Sequence, residues 1–275
     1  MKSSAPRCPV LLYHSQNVAG NDHASNDHVA LVDDLRLIYR LGLQVIPLFW
    51  LVEWLLGERD LDSAGCVCIS FDDGVDADVR DLDFPQFGFQ RGFLNIMLDF
   101  QAEFGSRALP QLHATSFVIA SPEARAVMDK YSLFDQGWMN EDWWHPSDGN
   151  DLMAIANHSW DHEHPDLVHI GGTPARDFFT VDTREKADRQ IFAASEHIAA
   201  VTGGHWPELF AYPYGQVSDY LCGEYFPGHT HHRIKAAFTT EPQPVMADSD
   251  RWQLGRFVCG RDWRSDSGLK QILLS

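Results

Sequence analysis

The chain has 275 residues, of which 44% are hydrophobic, and its formal net charge is −18. A chain of this size and apolar content can bury one large core, and α/β barrels commonly reach this length as a single domain, so we expect one domain over residues 1–275. The acidic balance disfavours nucleic acid and anionic membrane surfaces as partners, because both repel negative charge.

Short apolar strands alternate with helical patterns along the chain. The first half predicts helices near 29–41 and 49–56, with strands at 10–13, 44–46 and 66–71. The second half predicts a long amphipathic helix over 183–201, with strands at 114–119, 154–157, 209–211, 236–239 and 254–258. This alternation predicts an α/β fold in which helical crossovers join parallel strands.

The strand at 66–71 ends in two adjacent carboxylates, Asp72 and Asp73, followed by Gly74. Successive side chains at a strand end diverge, so the two carboxylates need not share one role. Two ionised carboxylates this close raise one another's pKa unless a cation lies nearby. The pair therefore indicates a cation site, although an ordinary strand end with an Asp-Gly turn is the simpler alternative.

Two imidazoles, His158 and His162, stand four residues apart after the strand at 154–157. With one carboxylate they form a three-ligand set that leaves a position open, which is typical of catalytic metal sites. His164 is an alternative to His162 as the second imidazole ligand. Asn157 and Ser159 are short polar residues suited to orienting the ligands from behind.

Three motifs in this order resemble those of the polysaccharide deacetylases, the NodB-homology carbohydrate esterases. They are Ser-Phe-Asp-Asp-Gly at 70–74, Asn-His-Ser-x-x-His at 157–162 and Phe-Ala-Tyr-Pro-Tyr-Gly at 210–215. The opening Pro-Val-Leu-Leu-Tyr-His-Ser at 9–15 resembles the first strand of the subgroup that includes the poly-N-acetylglucosamine deacetylases. The resemblance spans residues 10 to 258 and implies a distorted, incomplete (β/α) barrel.

The resemblance also implies a role for each matching residue. Asp72 matches the general base that takes a proton from metal-bound water, and Asp73, His158 and His162 match the metal ligands. Tyr214 matches the residue whose backbone N–H helps to hold the oxyanion, and Pro213 fixes the local geometry beside the substrate.

Two features depart from the family pattern. Many members place an arginine where this chain has Ala211, so another residue must orient Asp72, and Arg256 and Arg261 are the candidates. The late Leu-x-His motif that supplies the catalytic acid is missing, since no histidine follows His232. In the subgroup with an N-terminal Tyr-His the acid comes from that early histidine, which makes His14 the predicted acid here; a buried core histidine is the alternative.

The stretch at about 84–150 is longer than one crossover requires and is predicted to be an insertion on the substrate side. Its tryptophans, Trp138, Trp143 and Trp144, offer flat faces to sugar rings, although burial in the core is the commoner fate of clustered tryptophans. Asp76 and Asp78, which follow the first motif, are interpreted as a solvated helix start.

The residues indicate a metal-dependent hydrolase, and the resemblance implies that it removes acetyl groups from an N-acetylated amino sugar or polysaccharide. Zinc is the expected ion, and cobalt or nickel suits the same ligands. The alternatives are a hydrolase of a small non-sugar amide on the same fold and an inactive glycan-binding relative. Residues 1–6 lack the apolar segment of a secretory signal, so a cytoplasmic location is expected.

Overall fold

A computed structural model describes residues 7–61, 65–145, 151–172 and 177–275. Residues 1–6, on which the prediction about a secretory signal rests, lie outside the described residues. So do residues 146–150, the end of the predicted insertion.

The described residues form twelve strands and eight α-helices. The strands are β1 (Arg7–Cys8), β2 (Val10–Tyr13), β3 (Gln44–Val45), β4 (Cys66–Asp73), β5 (Leu82–Phe84), β6 (Gly88–Gln90), β7 (Ala114–Val118), β8 (Met153–Asn157), β9 (Leu209–Ala211), β10 (Ala236–Phe238), β11 (Val245–Met246) and β12 (Phe257–Val258). The helices are α1 (Asp27–Arg40), α2 (Leu48–Leu55), α3 (Phe93–Phe104), α4 (Pro122–Tyr131), α5 (Arg184–Ala187), α6 (Ala193–Val201), α7 (Phe226–Gly228) and α8 (Asp266–Leu274). Two π-helical turns occur, Asp188–Phe192 between α5 and α6 and Leu221–Tyr225 before α7.

One parallel sheet organises the molecule, in the order β10-β9-β8-β7-β4-β2-β12, and β3 also pairs with β4. A single parallel bridge from Phe238 to Leu254 links the β10 edge to the segment before β12. The sheet is therefore a curled, incomplete barrel of the predicted α/β type, and the fold prediction is confirmed.

Alternation along the central strands separates two cores. On β4, Val67, Ile69 and Phe71 pack with α1, α3 and α8, whereas Cys66 and Cys68 face the barrel interior. Asp72 follows the same alternation as Cys66 and Cys68, so its side chain also points into the barrel.

The predicted insertion at 84–150 is wrong as a single unit. It contains β7, which pairs in parallel with both β4 and β8 at the centre of the sheet. Helices α3 and α4 lie in the same range and make two ordinary crossovers. Among the described residues of this range, the β5–β6 hairpin and the segment from 132 to 145 are the additions to this pattern.

No helix in the described ranges is both long enough and apolar enough to cross a membrane.

Candidate active site and metal centre

Carboxyl ends of the parallel strands meet at one face of the sheet, and most of the residues predicted to be functional lie there. Tyr13 ends β2 before His14, Asn157 ends β8 before His158, and Ala211 ends β9 before the Tyr-Pro-Tyr-Gly turn. This is the face at which α/β barrels place their reactive groups. A cavity of about 470 Å³ opens there, lined by His14, Asp72, Asp73, Met128, Ser132, His158, His162, His164, Pro165, Tyr214, Gly215, Thr240, Val258 and Arg261.

Arg256 holds Asp72 by a bidentate ion pair. Its Nη1 lies 2.7 Å from Asp72 Oδ1 and its Nη2 lies 2.8 Å from Asp72 Oδ2. The guanidinium is fully buried, and its Nε also donates to the Thr239 carbonyl at 3.2 Å. Of the two arginines predicted as candidates, Arg256 makes this contact, whereas Arg261 is half exposed and bonds Asp262 and the Thr240 carbonyl.

The ion pair keeps Asp72 ionised despite its burial. Burial raises the pKa of Asp72, but the Arg256 charge, then the His158 charge and the Arg256 hydrogen bonds, outweigh it, so the net pKa lies below the usual value. A buried carboxylate with its charge retained can accept a proton.

Three ligand atoms converge beside Asp72. Oδ1 of Asp73 lies 3.5 Å from Nε2 of His158 and 3.6 Å from Nε2 of His162, and the two nitrogens are 3.2 Å apart. Tetrahedral zinc with bonds of about 2.0–2.1 Å separates its ligands by about 3.3 Å, so the three atoms fit one ion. Two facing imidazole nitrogens and a carboxylate oxygen are the donor set that such a cation prefers.

Hydrogen bonds and charges set the protonation of this cluster. His158 Nδ1 lies 2.9 Å from the Ala211 carbonyl, so Nδ1 is a donor and the ring directs Nε2 towards Asp73. Burial, and then the neighbouring His158, lower the pKa of His162 to about 3, so this imidazole is neutral. Burial raises the pKa of Asp73, but the hydrogen bond from His158 and the charges of His14 and His158 bring it far below the usual range.

The loop that carries both histidines is held from behind, as predicted for Asn157 and Ser159. Asn157 Oδ1 accepts a hydrogen bond from the Ser159 N–H at 2.7 Å, and Ser159 Oγ accepts one from the His162 N–H at 2.9 Å. His164 lines the cavity, but Asp73, His158 and His162 form the ligand cluster without it. His164 instead caps the following 3₁₀ turn, because its Nδ1 accepts from the Asp166 N–H.

His14 also faces the cavity. Its backbone N–H donates to Asp27 Oδ2 at 2.8 Å, which anchors the residue to the start of α1. Its buried Nδ1 has no hydrogen-bond partner among the described residues.

The Tyr-Pro-Tyr-Gly turn closes the opposite side of the ligand cluster. Tyr214 adopts a left-handed conformation with φ of 58°, and its ring meets the His162 ring edge to face with centroids 4.4 Å apart. Pro213, which precedes it, is buried.

The three predicted sugar-binding tryptophans do not line the cavity that holds the ligand cluster. Trp144 is buried, and the Arg125 guanidinium carbon lies 4.7 Å from the centroid of its ring. Trp138 packs on Phe84, and Trp143 donates its indole N–H to Asp76. Trp143 and Trp144 border a separate cavity of about 550 Å³.

Two features at the site were not predicted. Gln16, two residues beyond the predicted acid His14, donates its side-chain amide to Asp73 Oδ2.

Asp76 and Asp78 are buried at 2% and 0% exposure, so their interpretation as a solvated helix start is wrong. Asp76 accepts bonds from Arg80, Asn140 and Trp143, and Asp78 accepts one from each of Ser15 and Ser116. The signal in the sequence was the position of these acids, three and five residues past the end of β4 at Asp73.

The curled parallel sheet, with two carboxylates and two imidazoles at its carboxyl face, has the fold of NodB-type deacetylases. Residues 110–225 match the family model described as polysaccharide deacetylase, a range that includes the second and third motifs. The resemblance predicted from the three motifs is thus confirmed, by this match and by solved deacetylase structures that share the fold. A search of curated proteins gives no significant match.

Solved structures share the fold over nearly the whole chain. The deacetylase PplD of Streptococcus pyogenes in complex with acetate has a TM-score of 0.66 at 13% identity, covering 99% of this chain and 100% of that one. IcaB of Ammonifex degensii has a TM-score of 0.63 at 16% identity, covering 99% of both chains. A de-N-acetylase of Aggregatibacter actinomycetemcomitans has a TM-score of 0.64 at 15% identity, covering 97% of this chain and 99% of that one.

Proposed function

We propose that the protein is a metal-dependent hydrolase that removes acetyl groups from the nitrogen of an acetylated amino sugar or polysaccharide. The observation that carries this proposal is the convergence of one ligand atom each from Asp73, His158 and His162 to within 3.6 Å of one another, beside a buried Asp72 that Arg256 keeps ionised. A divalent cation at these three residues would supply polarisation of the acetyl carbonyl and a lowered pKa of water.

The chain's own groups divide the proton transfers. Asp72 accepts a proton from the attacking water, since Arg256 occupies one side of each carboxylate oxygen and leaves further lone pairs available. His14, from the end of β2, donates a proton to the departing nitrogen. The backbone N–H of Tyr214 is the proposed donor to the oxygen on which negative charge develops.

The family and the fold favour an acetylated glycan as the substrate. The family model is that of polysaccharide deacetylases, and the structurally similar S. pyogenes deacetylase was solved with acetate, the acid that this reaction releases. Arg256 also removes one reason to favour an inactive relative, because the arginine missing at position 211 has a counterpart elsewhere in the chain.

The test measures acetate release from N-acetylglucosamine oligomers by metal-free protein and by protein loaded with Zn²⁺, Co²⁺ or Ni²⁺. Loaded protein is expected to release acetate, and Asp72→Asn is expected to keep its Zn²⁺ affinity while turnover falls about 10²–10⁴-fold. Asp73→Asn is expected to lose both Zn²⁺ affinity and turnover. The exposed Asp248 supplies the control, Asp248→Asn, with unchanged turnover.

Two results would overturn the proposal: no acetate from any acetylated sugar with any of these metals, or undiminished turnover in Asp72→Asn. Cleavage of small amides by a metal-loaded protein that leaves every acetylated sugar intact would instead support the non-sugar amidase.

A further inference from the structure

The segment from Asn157 to Glu163, which carries His158 and His162, is called the histidine loop here. The helix that packs behind it contains one π-helical turn, Asp188–Phe192, between α5 and α6. In an α-helix, residues five apart lie about 140° apart around the axis, at about 100° per residue. A turn with i→i+5 bonds contains one extra residue, so residues five apart come onto one face. Gln190 and Ser195 are brought onto the same face in this way, and both contact the histidine loop.

The first contact lies at the start of the loop. The buried Asn157 amide donates to the Ile191 carbonyl within the π turn at 2.9 Å and to Ser195 Oγ at 2.8 Å. Because Asn157 Oδ1 also accepts the Ser159 N–H, the turn fixes the backbone on both sides of His158.

The second contact lies around His162. Nε2 of the buried Gln190 donates to Asp161 Oδ1 and to Glu163 Oε1, each at 2.7 Å. These carboxylates flank His162 in sequence and repel each other. The amide of Gln190, with two N–H donors on one nitrogen, satisfies both at once.

The loop needs such support because its backbone is strained. Ser159, His162 and Glu163 have φ values of 76°, 63° and 45°. Left-handed conformations cost non-glycine residues about 1–2 kcal/mol each, and they persist where neighbouring structure holds them.

We propose that Gln190, presented by the π turn, is a positioning residue that holds His162 in the orientation in which it completes the metal site. This inference rests on the proposed function, since it assigns Gln190 a purpose only if Asp73, His158 and His162 bind a cation. Gln190 acts through Asp161 and Glu163 and touches neither the cation nor the substrate.

The test titrates metal-free protein with Zn²⁺ against a chromogenic chelator and records the visible absorption of the Co²⁺-loaded form. Gln190→Met keeps an unbranched side chain of similar length and removes the amide. We expect Zn²⁺ affinity to fall about 10–100-fold, as for other residues that orient metal ligands, with an altered Co²⁺ spectrum. Ser195→Ala, which leaves the Ile191 carbonyl in place, is expected to cause a smaller loss in the same direction.

The matched control is Arg189→Ala, which removes the ion pair from an exposed arginine to the same buried Asp161 and keeps the Gln190 amide. It is expected to change Zn²⁺ affinity by less than about twofold.

The thermal unfolding midpoint of each metal-free variant separates an effect on ligand positioning from a general loss of stability. Zn²⁺ affinity and Co²⁺ spectra that match the unchanged protein in both Gln190→Met and Ser195→Ala, even with lowered midpoints, would overturn this inference alone. Absence of Zn²⁺ binding in the unchanged protein would overturn the proposed metal site, and this inference with it.

Discussion

Asp72 is bound by an arginine that lies 184 positions away in the chain. The small Ala211 side chain is buried in the barrel interior on β9, and the Arg256 guanidinium lies there 5.3 Å from the Phe117 ring. The Asp72 carboxylate is therefore oriented from the segment that leads into β12 and not from the third motif. A buried pair of this kind is costly to break, because removing one partner leaves the other charge without compensation.

Replacing Arg256 by lysine should separate charge from geometry. Arg256→Lys keeps a positive charge but cannot bind both oxygens of Asp72, so we expect kcat for acetate release to fall about 10–100-fold while Zn²⁺ affinity changes by less than about threefold. Steady-state kinetics and Zn²⁺ titration measure the two effects. Arg264→Lys, at an exposed arginine that donates to the Gly260 carbonyl, is the control. An unchanged kcat in Arg256→Lys would contradict the role of the bidentate pair.

If His14 is the catalytic acid, its replacement should lower kcat/KM most for substrates whose leaving group must be protonated. His14→Gln is expected to lower kcat/KM on an N-acetylated sugar about 10²–10⁴-fold, because an amine cannot leave unprotonated. A p-nitrophenyl acetate substrate, whose leaving group departs as a stable anion, should lose much less. Equal losses on the two substrates would show that His14 serves binding or structure and not acid catalysis.

At the scale of elements, Gly74 determines how β4 can end beside β7. It has φ of +72°, and a Cβ there would lie 2.7 Å from Val118 Cγ1 and 3.1 Å from the Val118 Cα. A side chain would therefore push β4 and β7 apart at the point where Asp72 and Asp73 emerge. The glycine is required by both the backbone conformation and the close approach of the two strands.

Gly74→Ala should destabilise the protein by more than its backbone conformation alone explains. Gly57→Ala is the matched control, because Gly57 has φ of +73° and a Cβ added there would meet nothing within 4 Å. We expect Gly57→Ala to lower the free energy of unfolding by about 1 kcal/mol and Gly74→Ala by at least about 2 kcal/mol more. Urea denaturation of both variants measures the difference, and equal effects would contradict the steric argument.

Local patterns predicted most of the sheet, and they selected Asp73, His158 and His162, which the structure brings together as a candidate ligand set. The strand at Val10–Tyr13 and the one at Leu209–Ala211 have the predicted bounds, since short apolar runs between polar turns are visible in sequence. The continuous helix predicted over 183–201 is instead α5, a π turn and α6. The sequence contains no pattern that predicts an i→i+5 turn, so the contact of Gln190 with the histidine loop could not be predicted.

Contacts between distant segments could not be predicted in the same way. The sequence left Arg256 and Arg261 as candidate partners of Asp72. It could not distinguish them, because the distinction depends on which side chain points into the barrel interior. The burial of Asp76 depends on the segment at 138–143 folding back over it, and an acidic residue in a turn normally predicts exposure. The tryptophans were ambiguous for the same reason, since stacking on sugars and packing in a core require the same aromatic residues.

At the scale of the whole molecule, a buried acid beneath the site couples stability to pH. Burial raises the pKa of Asp78 to about 7, against the hydrogen bonds from Ser116 and Ser15, and the charges of Asp73 and Asp72 raise it further. In the unfolded chain an aspartate titrates near about 3.9. Between these two values the folded state binds a proton that the unfolded state has released. The contribution of Asp78 to stability is therefore present at about pH 4 and is lost as the pH rises through about 7.

Asp78→Asn should remove this component, because an amide stays neutral at every pH while retaining hydrogen-bonding atoms for Ser15 and Ser116. The free energy of unfolding of Asp78→Asn minus that of the unchanged protein is expected to rise between pH 4 and pH 8, by up to about 4 kcal/mol. Urea denaturation of the metal-free proteins at each pH measures it, since a bound cation would alter the charges of Asp72 and Asp73. Asp83→Asn, at an exposed carboxylate on β5, is the control for a general loss of negative charge and should give a flat difference. A flat difference for Asp78→Asn as well would mean that Asp78 is already ionised in the folded protein at pH 4, so that hydrogen bonds from the two serines outweigh its burial and the repulsion of the neighbouring carboxylates.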